Sequence, residues 1–471
     1  MTETKTAYCS WCYEKTSHRL IKKENFKRNT YICSLCKNET LVCRFCNNMA
    51  KGKPNNTILK VIEKESKFSK LAQSWDNELC AEHDGTIASF PNLSMKLDDI
   101  AEYQKIFERE KFNLMKASKY TGYGVAGMVS IAGVAVTSGA GAAPIAAALG
   151  NMGLLGTAST GVAINSLSGA ALTSASLAAI GGSVAAGTSI VSAAGLALGG
   201  VMGGVIANKY HGDDKSFAIS LLRKRDEDKK VVFINGFTQE NEVDFYDWQC
   251  AQLAFDPSQT MYSLNWASKT NLKLGEAFAM GVGNQAAKRI LLQLGKAGGK
   301  NAAKKLNPLG YVAMLGDLIG NPWHEAMVRA AQSGVQLADA ISRTEGQKFR
   351  LVGHSLGCRV IYYALEALSS KSKKYISDVI LLGGAVGKDD KSGWQKASSA
   401  VDGCIYNCHS VHDKVLSVIY RTANAGLSNP IGINPITFES EKIKNINCDG
   451  IVHSHMTWKK HYEEILDIIY G

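Results

Sequence analysis

A chain of 471 residues is too long for one ordinary domain and predicts two or three folded units. Hydrophobic residues make up 45% of it, enough for a large core, which excludes a disordered or low-complexity protein. The formal net charge of +11 is moderate for this length: it suits attraction to an anionic membrane or nucleic acid and ordinary solubility equally.

Residues 1–90 are rich in Cys, Lys and Asn. Of the twelve cysteines, seven lie before residue 81, six of them in the pairs Cys9/Cys12, Cys33/Cys36 and Cys43/Cys46. Cys80 and His83 repeat the two-residue gap. A two-residue gap lets both ligands turn inward from one tight loop and reach a metal at about 2.3 Å. Eight soft ligands predict a zinc-binding module holding two structural Zn2+ ions, with sequential and interleaved pairings both open. His18 reads as a surface histidine. The basic run Arg19 to Arg28 carries too few aromatics, Phe26 and Tyr31, to favour nucleic acid; a protein partner is the module's better expectation. The remaining cysteines, Cys250, Cys358, Cys404, Cys408 and Cys448, read as buried free thiols. Polar Met1 to Thr6 does not resemble a signal peptide, so the expected location is reducing and cytosol-facing, not secreted.

Residues 91–119 read as an amphipathic helical linker. Leu97, Ile100, Tyr103, Ile106 and Phe107 recur at helical spacing, and Phe112 and Met115 continue the face, which suits packing better than a membrane.

From Tyr120 to Asn208 there is no charged residue. This Gly/Ala-rich helical segment is long enough for two to four spans of about 20 residues. Its small residues suit close helix packing in a membrane, while sparse lipophilic side chains and frequent Ser and Thr suit a water-exposed hairpin. Membrane association or insertion is the expectation.

Residues 215–471 alternate apolar runs with helical patterns, the signature of a mainly parallel α/β sheet. The predicted strands are Val231–Ile234, Gln259–Leu264, Lys348–Val352, Asp378–Leu382 and Cys404–Cys408. Gly353-His354-Ser355-Leu356-Gly357 follows the third of these and opens a helix. Two glycines permit the sharp strand-to-helix turn that lifts a serine hydroxyl above the sheet, so Ser355 is the candidate nucleophile. A serine of this fold takes its acid and base in the chain order Ser, Asp, His. Asp413, in a loop after the last predicted strand, is the candidate orienting acid, ahead of Asp402 and Asp449; its bland alternative is a helix N-cap. For the base, His461 falls within the last predicted helix, and spacing does not decide between His453 and His455. The oxyanion donors expected are the backbone N–H of Leu356 and, beside Gly236, that of Phe237.

These residues resemble an α/β-hydrolase-like family of unknown function that includes transmembrane and coiled-coil domain-containing protein four. The resemblance covers roughly 95–470: the Gly/Ala-rich segment, Tyr262 to Lys269 with Leu272 to Gly275, Leu351 to Tyr362, and Asn407, Asp413, Tyr420 and Arg421. The family tail resembles Gly-His-x-x-Tyr with an Ile-Leu pair about ten residues on. Here His455, Trp458, Ile465 and Leu466 fit that register with Ser454 in place of the glycine, so the resemblance implies His455 as the base. It also implies membrane association. The zinc region lies outside it.

Two functions follow as expectations. One is a membrane-associated serine ester hydrolase, a lipase or phospholipase, acting on a lipid or other acyl ester. The other is a binding or targeting protein built on the zinc module, with an inactive or secondary hydrolase fold.

Overall fold

The computed structural model describes residues 3–23, 28–52, 78–109, 195, 197–225, 229–236, 245–267, 322–420 and 429–471. Most of the Gly/Ala-rich segment, Phe237, Leu272 to Gly275 and Arg421 lie outside the described residues. The chain divides into two compact units: Met1–Met95, Lys105–Ala186 and Gly199–Lys209 form the first, and Lys96–Gln104, Gly187–Leu198 and Tyr210–Gly471 the second.

The first unit carries an antiparallel five-stranded sheet, β1 (Thr4–Tyr8), β2 (Lys15–Lys22), β3 (Thr30–Cys33), β4 (Glu39–Val42) and β5 (Met49–Ala50), in chain order. Each of the three Cys-x-x-Cys pairs occupies the turn after a strand: Cys9 follows β1, Cys33 ends β3 and Cys43 follows β4. The apolar support is small. Ala7, Tyr31 and Met49 form one cluster, and Leu79, Ile87, Phe90 and Leu93 pack with Cys43 and Cys80 in another. Tyr8 stacks on Phe90 at 4.9 Å between ring centroids. His18 is buried, not on the surface as its polarity suggested: strand alternation turns it inward, opposite Cys33, with Nδ1 3.0 Å from the Thr16 carbonyl.

The linker is tighter than the α-helix its periodicity predicted. Pro91–Ser94 and Ile100–Phe107 are 3-10 turns, and 110–119 lies outside the described residues. Asp99 sets the second turn locally, its Oδ1 accepting from Ala101 N at 2.8 Å and its carbonyl from Glu102 N at 3.0 Å. Leu97, Ile100, Tyr103 and Ile106 are buried, as a packing face requires. The Tyr103 hydroxyl donates to Asp339 Oδ2 at 3.1 Å, the oxygen that also pairs with Arg343 Nε at 2.7 Å. The charge-free segment ends in helix α1 (Val201–Asp213). Among the described residues no helix is long and apolar enough to cross a membrane.

The second unit is built on a seven-stranded sheet of β6 (Ala218–Arg223), β7 (Lys229–Ile234), β8 (Thr260–Asn265), β9 (Lys348–His354), β10 (Ile376–Leu382), β11 (Ile405–His409) and β12 (Ile443–Asn447). Its order is β12-β11-β10-β9-β7-β8-β6, all parallel except β6, which runs antiparallel to β8. The five predicted strands are present; the structure adds β6 and β12 at the two edges. Central strands read as unbroken apolar runs because helices cover both faces. Helices α2 (Tyr246–Phe255), α3 (Pro322–Arg343), α4 (Leu356–Leu368), α5 (Lys391–Ser399) and α6 (Tyr462–Tyr470) accompany them. Phe233, Trp248, Val352, Leu382, Trp458 and Tyr462 belong to one buried cluster, joining β7, β9 and β10 to α2 and α6. At about 25 cal/mol per Å2 of apolar surface, such aromatics contribute several kcal/mol each.

Candidate active site

Ser355 stands between β9 and α4 with φ 57° and ψ −119°, a conformation an L-residue adopts only when its surroundings impose it. Those surroundings are visible. Ser355 N donates to Leu382 O at 3.0 Å and Ala385 N donates to Ser355 O at 3.0 Å, tying the turn to the end of β10. A Cβ on Gly357 would lie 2.1 Å from the Ile234 carbonyl oxygen, so only glycine lets α4 start this close to β7.

Three elements then converge on the serine hydroxyl. His455 Nε2 lies 3.0 Å from Ser355 Oγ, and His455 Nδ1 lies 2.6 Å from Asp413 Oδ2. All three residues are buried. Asp413 follows β11, and His455 opens a single 3-10 turn, His455–Thr457, before α6. Asp413 makes contacts compatible with both the capping and the orienting readings. Its Oδ1 accepts from Leu416 N at 3.1 Å, fixing the carboxylate, while Oδ2 faces the imidazole. Charge-assisted bonds of this length are the stronger class.

The other candidates sit elsewhere. Asp402 pairs with Lys348, and Asp449 Oδ1 accepts from Val411 N at 2.8 Å. That backbone bond holds the Asp449 carboxyl below its ordinary range. His453 is exposed, its ring 5.4 Å from that of His412. His461 occupies the N-cap position of α6 without a side-chain capping bond and pairs with Glu464, one residue before the helix the pattern placed it in.

Two groups at the site carried no such role in the sequence. Trp458 Nε1 donates to Asp413 Oδ2 at 3.0 Å, the same oxygen that meets His455. Gly383, at φ +52°, makes room for it: a Cβ there would lie 2.4 Å from Trp458 Nε1. Adjacent glycines after an apolar strand, with a tryptophan three residues past a candidate histidine, are the one sequence signal that points to it. His354 is the second. Its Nε2–H donates to the His455 carbonyl at 3.1 Å, and the two rings lie 4.8 Å apart. Burial, with His455 and Lys459 nearby, holds His354 well below the ordinary histidine range, so it is neutral at pH 7.

The expected oxyanion donors are described in part. Leu356 N is the first helical N–H of α4 and has no partner within the helix. Gly236 lies against it: a Cβ on Gly236 would come within 2.4 Å of Leu356 N. A side chain at 236 would therefore cover that N–H. Two tryptophans hold the preceding residue, Trp248 Nε1 donating to Asn235 Oδ1 at 2.9 Å and Trp266 Nε1 to Asn235 O at 2.8 Å. Phe237 lies outside the described residues.

The first unit gathers the eight soft ligands into two sets that can each hold a metal ion, Cys9, Cys12, Cys33 and Cys36, and Cys43, Cys46, Cys80 and His83. The grouping is sequential, not interleaved. Within each set the ligand atoms lie within 4.8 Å of one another, with Cys9 Sγ–Cys36 Sγ at 3.8 Å and Cys46 Sγ–Cys80 Sγ at 3.6 Å. Tetrahedral coordination at about 2.3 Å per metal–sulfur bond demands about 3.8 Å between sulfurs. Backbone N–H groups of Trp11, Cys36, Phe45 and Asn48 point at the sulfurs of Cys9, Cys33, Cys43 and Cys46 at 3.4 to 3.5 Å, the support a thiolate needs.

A family model described as a protein of unknown function, DUF726, matches residues 115–470. An uncharacterised membrane protein of Caenorhabditis elegans is 30% identical over 312 residues, 62% of this chain and 48% of that one. The probable lipase MIL1 of Saccharomyces cerevisiae is 28% identical, over 59% of this chain and 26% of its own. The transmembrane and coiled-coil domain-containing protein STS1 of Oryza sativa subsp. japonica is 25% identical, over 61% and 43%. The chain thus spans from about a quarter to about half the length of these curated relatives. Among solved structures, a lipase-esterase related protein from Clostridium acetobutylicum matches with TM-score 0.27 and 9% identity, over 54% of this chain and 98% of that one.

Proposed function

We propose that this chain, which belongs to the DUF726 family, is a membrane-associated serine hydrolase of the α/β-hydrolase type that cleaves carboxylic esters of lipids. The observation that carries this reading is the relay Ser355–His455–Asp413, with contacts of 3.0 and 2.6 Å and both Asp413 oxygens engaged.

Ser355 Oγ attacks the acyl carbonyl carbon while His455 Nε2 takes its proton. Asp413 holds the ring through Nδ1–H and stabilises the imidazolium that forms. The carbonyl oxygen becomes an oxyanion against the N–H of Leu356, a preorganised donor of a kind worth about 3–4 kcal/mol. Collapse expels the alcohol, which takes the proton from His455. Water, deprotonated by the same histidine, then releases the acid and restores the serine hydroxyl.

Lipid as substrate is supported by a relative named a probable lipase, and membrane association by relatives named membrane proteins and by the charge-free stretch 120–208. Free cysteines throughout suit a reducing, cytosol-facing location. The two N-terminal sets, Cys9, Cys12, Cys33 and Cys36, and Cys43, Cys46, Cys80 and His83, would each hold a structural zinc ion, which their ligand types and spacings fit, and the module so formed would offer a surface to a protein partner. The test is hydrolysis of a short p-nitrophenyl ester and of a fluorogenic phospholipid by the full chain. Turnover that falls at least a thousand-fold in Ser355→Ala supports the reading. No turnover of either ester by the wild-type chain leaves the binding-module alternative in its place.

A further inference from the structure

Helix α4 carries a charged group that the mechanism does not use. Arg359 lies four residues, one turn or about 6 Å along the axis, beyond Ser355. It is 4% exposed, and its Nε and Nη1 are buried with no hydrogen-bond partner. The guanidinium carbon is 5.9 Å from the centroid of the Tyr363 ring, and Tyr420 and Tyr362 are its other charge-sensing neighbours. An aromatic face attracts a cation but leaves its N–H donors unmet. A desolvated guanidinium is ordinarily matched by an anion, because an unpaired buried charge is costly.

The chain does not supply that anion among the described residues. Two acids influence Tyr363, Glu366 and Asp390. Asp390 uses both oxygens, Oδ1 accepting from Gly393 N at 3.0 Å and Oδ2 from the Tyr362 hydroxyl at 2.8 Å. Glu366 is buried and makes no hydrogen bond, and burial raises its carboxyl to about 8, so it is largely uncharged at neutral pH.

We propose that Arg359, one helical turn along α4 from Ser355, anchors an anion site that takes the phosphate group of the substrate, so that the substrate class is acyl esters bearing a phosphate. This rests on the hydrolase reading. The planar fork of a guanidinium matches a phosphate with two parallel N–H···O bonds, using the donors left open here. In a glycerophospholipid one glycerol unit separates phosphate from ester, a span comparable to the helical turn between Arg359 and Ser355.

The experiment compares hydrolysis of a lysophosphatidate with that of a monoacylglycerol of the same acyl chain. Arg359→Gln lowers the ratio of kcat/KM, phosphate ester over neutral ester, at least 30-fold, and Arg359→Lys restores part of it. A ratio that stays put, or a Gln variant whose only change is a lower Tm, overturns the site. A second arm, independent of turnover, titrates Ser355→Ala with an ether-linked lysophosphatidate analogue and with inorganic phosphate. Tighter binding of the analogue marks a lipid headgroup and equal binding a free phosphate. Either is abolished by adding Arg359→Gln, and binding that survives it contradicts the proposal.

Discussion

The cysteine-rich sheet and the seven-stranded sheet are stabilised by different chemistry, and the contrast explains which parts of each are open to change. In the first unit a cluster of three buried side chains, Ala7, Tyr31 and Met49, supports five short strands, and every Cys-x-x-Cys turn ends on a ligand. In the second, a buried cluster that includes the rings of Phe233, Trp248, Trp458 and Tyr462 carries the load, and the proposed nucleophile Ser355 stands on one strained turn. Small domains need such staples because their cores bury too little surface. On the proposed reading, metal held by the candidate ligands stabilises the first unit, whereas the relay of the second is added to a core that folds without it.

The most disruptive way to break the comparison is to remove metal. Chelation of the full chain unfolds the N-terminal sheet, with a loss of about 10 kcal/mol or more of apparent metal-linked folding energy. The second unit keeps its thermal transition, and Cys43→Ser reproduces the effect in part; calorimetry with and without added Zn2+ reads both. Next in size, Ser355→Ala lowers ester turnover a thousand-fold or more, about 4 kcal/mol or more in barrier, without shifting either thermal transition. Loss of folding in that variant would mean that the nucleophile is structural after all.

The two units also respond to pH in opposite senses. Acidification protonates thiolates and weakens metal binding in the first. In the second, Glu366 is raised by burial from 4.5 to about 8. Between those values the folded chain binds the extra proton, so the contribution of Glu366 is fully present below about 4.5 and is lost as pH rises through 8. The unfolding free energy of the second unit, read from urea titrations, therefore falls with pH across that window by an amount on the order of a few kcal/mol. Glu366→Gln flattens the slope; a slope that persists assigns it to another group. Smallest of the four, Trp458→Phe removes one donor from Asp413 while keeping the packed ring. It lowers kcat/KM about 5- to 30-fold, equivalent to roughly 1–2 kcal/mol, with little change in Tm.

The same contrast governs what the sequence reveals. Metal ligands are legible because thiol pairs at a two-residue gap, repeated within one short segment, suit a metal better than a core or a disulfide. Their sequential grouping depends on which hairpins are neighbours, which spacing does not encode. The turn at Ser355 is legible because close backbone approach leaves Gly357 no substitute, and Gly353 is crowded by the Ile361 side chain and the Cys358 backbone. Central strands announce themselves by double-sided burial. The edge strands do not: Ile443-Lys-Asn-Ile-Asn447 is largely exposed, and β6 alternates weakly. Spacing does not separate His455 from His453; the family register does, and the 3-10 turn, which buries one ring and leaves the other exposed, is an orientation that residue type cannot show. Trp458 is legible only as a match to the family register; its ring is ordinary core, and its N–H, aimed at Asp413, is what residue type does not show. His18 misleads because a polar residue on a strand can face either way.

The central claim is that Ser355 is an activated nucleophile with His455 as its base. Its most direct test is mass-spectrometric mapping of a fluorophosphonate adduct on the full chain, comparing wild type, His455→Ala and His453→Ala. The account predicts a single adduct on Ser355, lost in His455→Ala and retained in His453→Ala. An unlabelled wild-type Ser355, or labelling that depends on His453 instead, contradicts it.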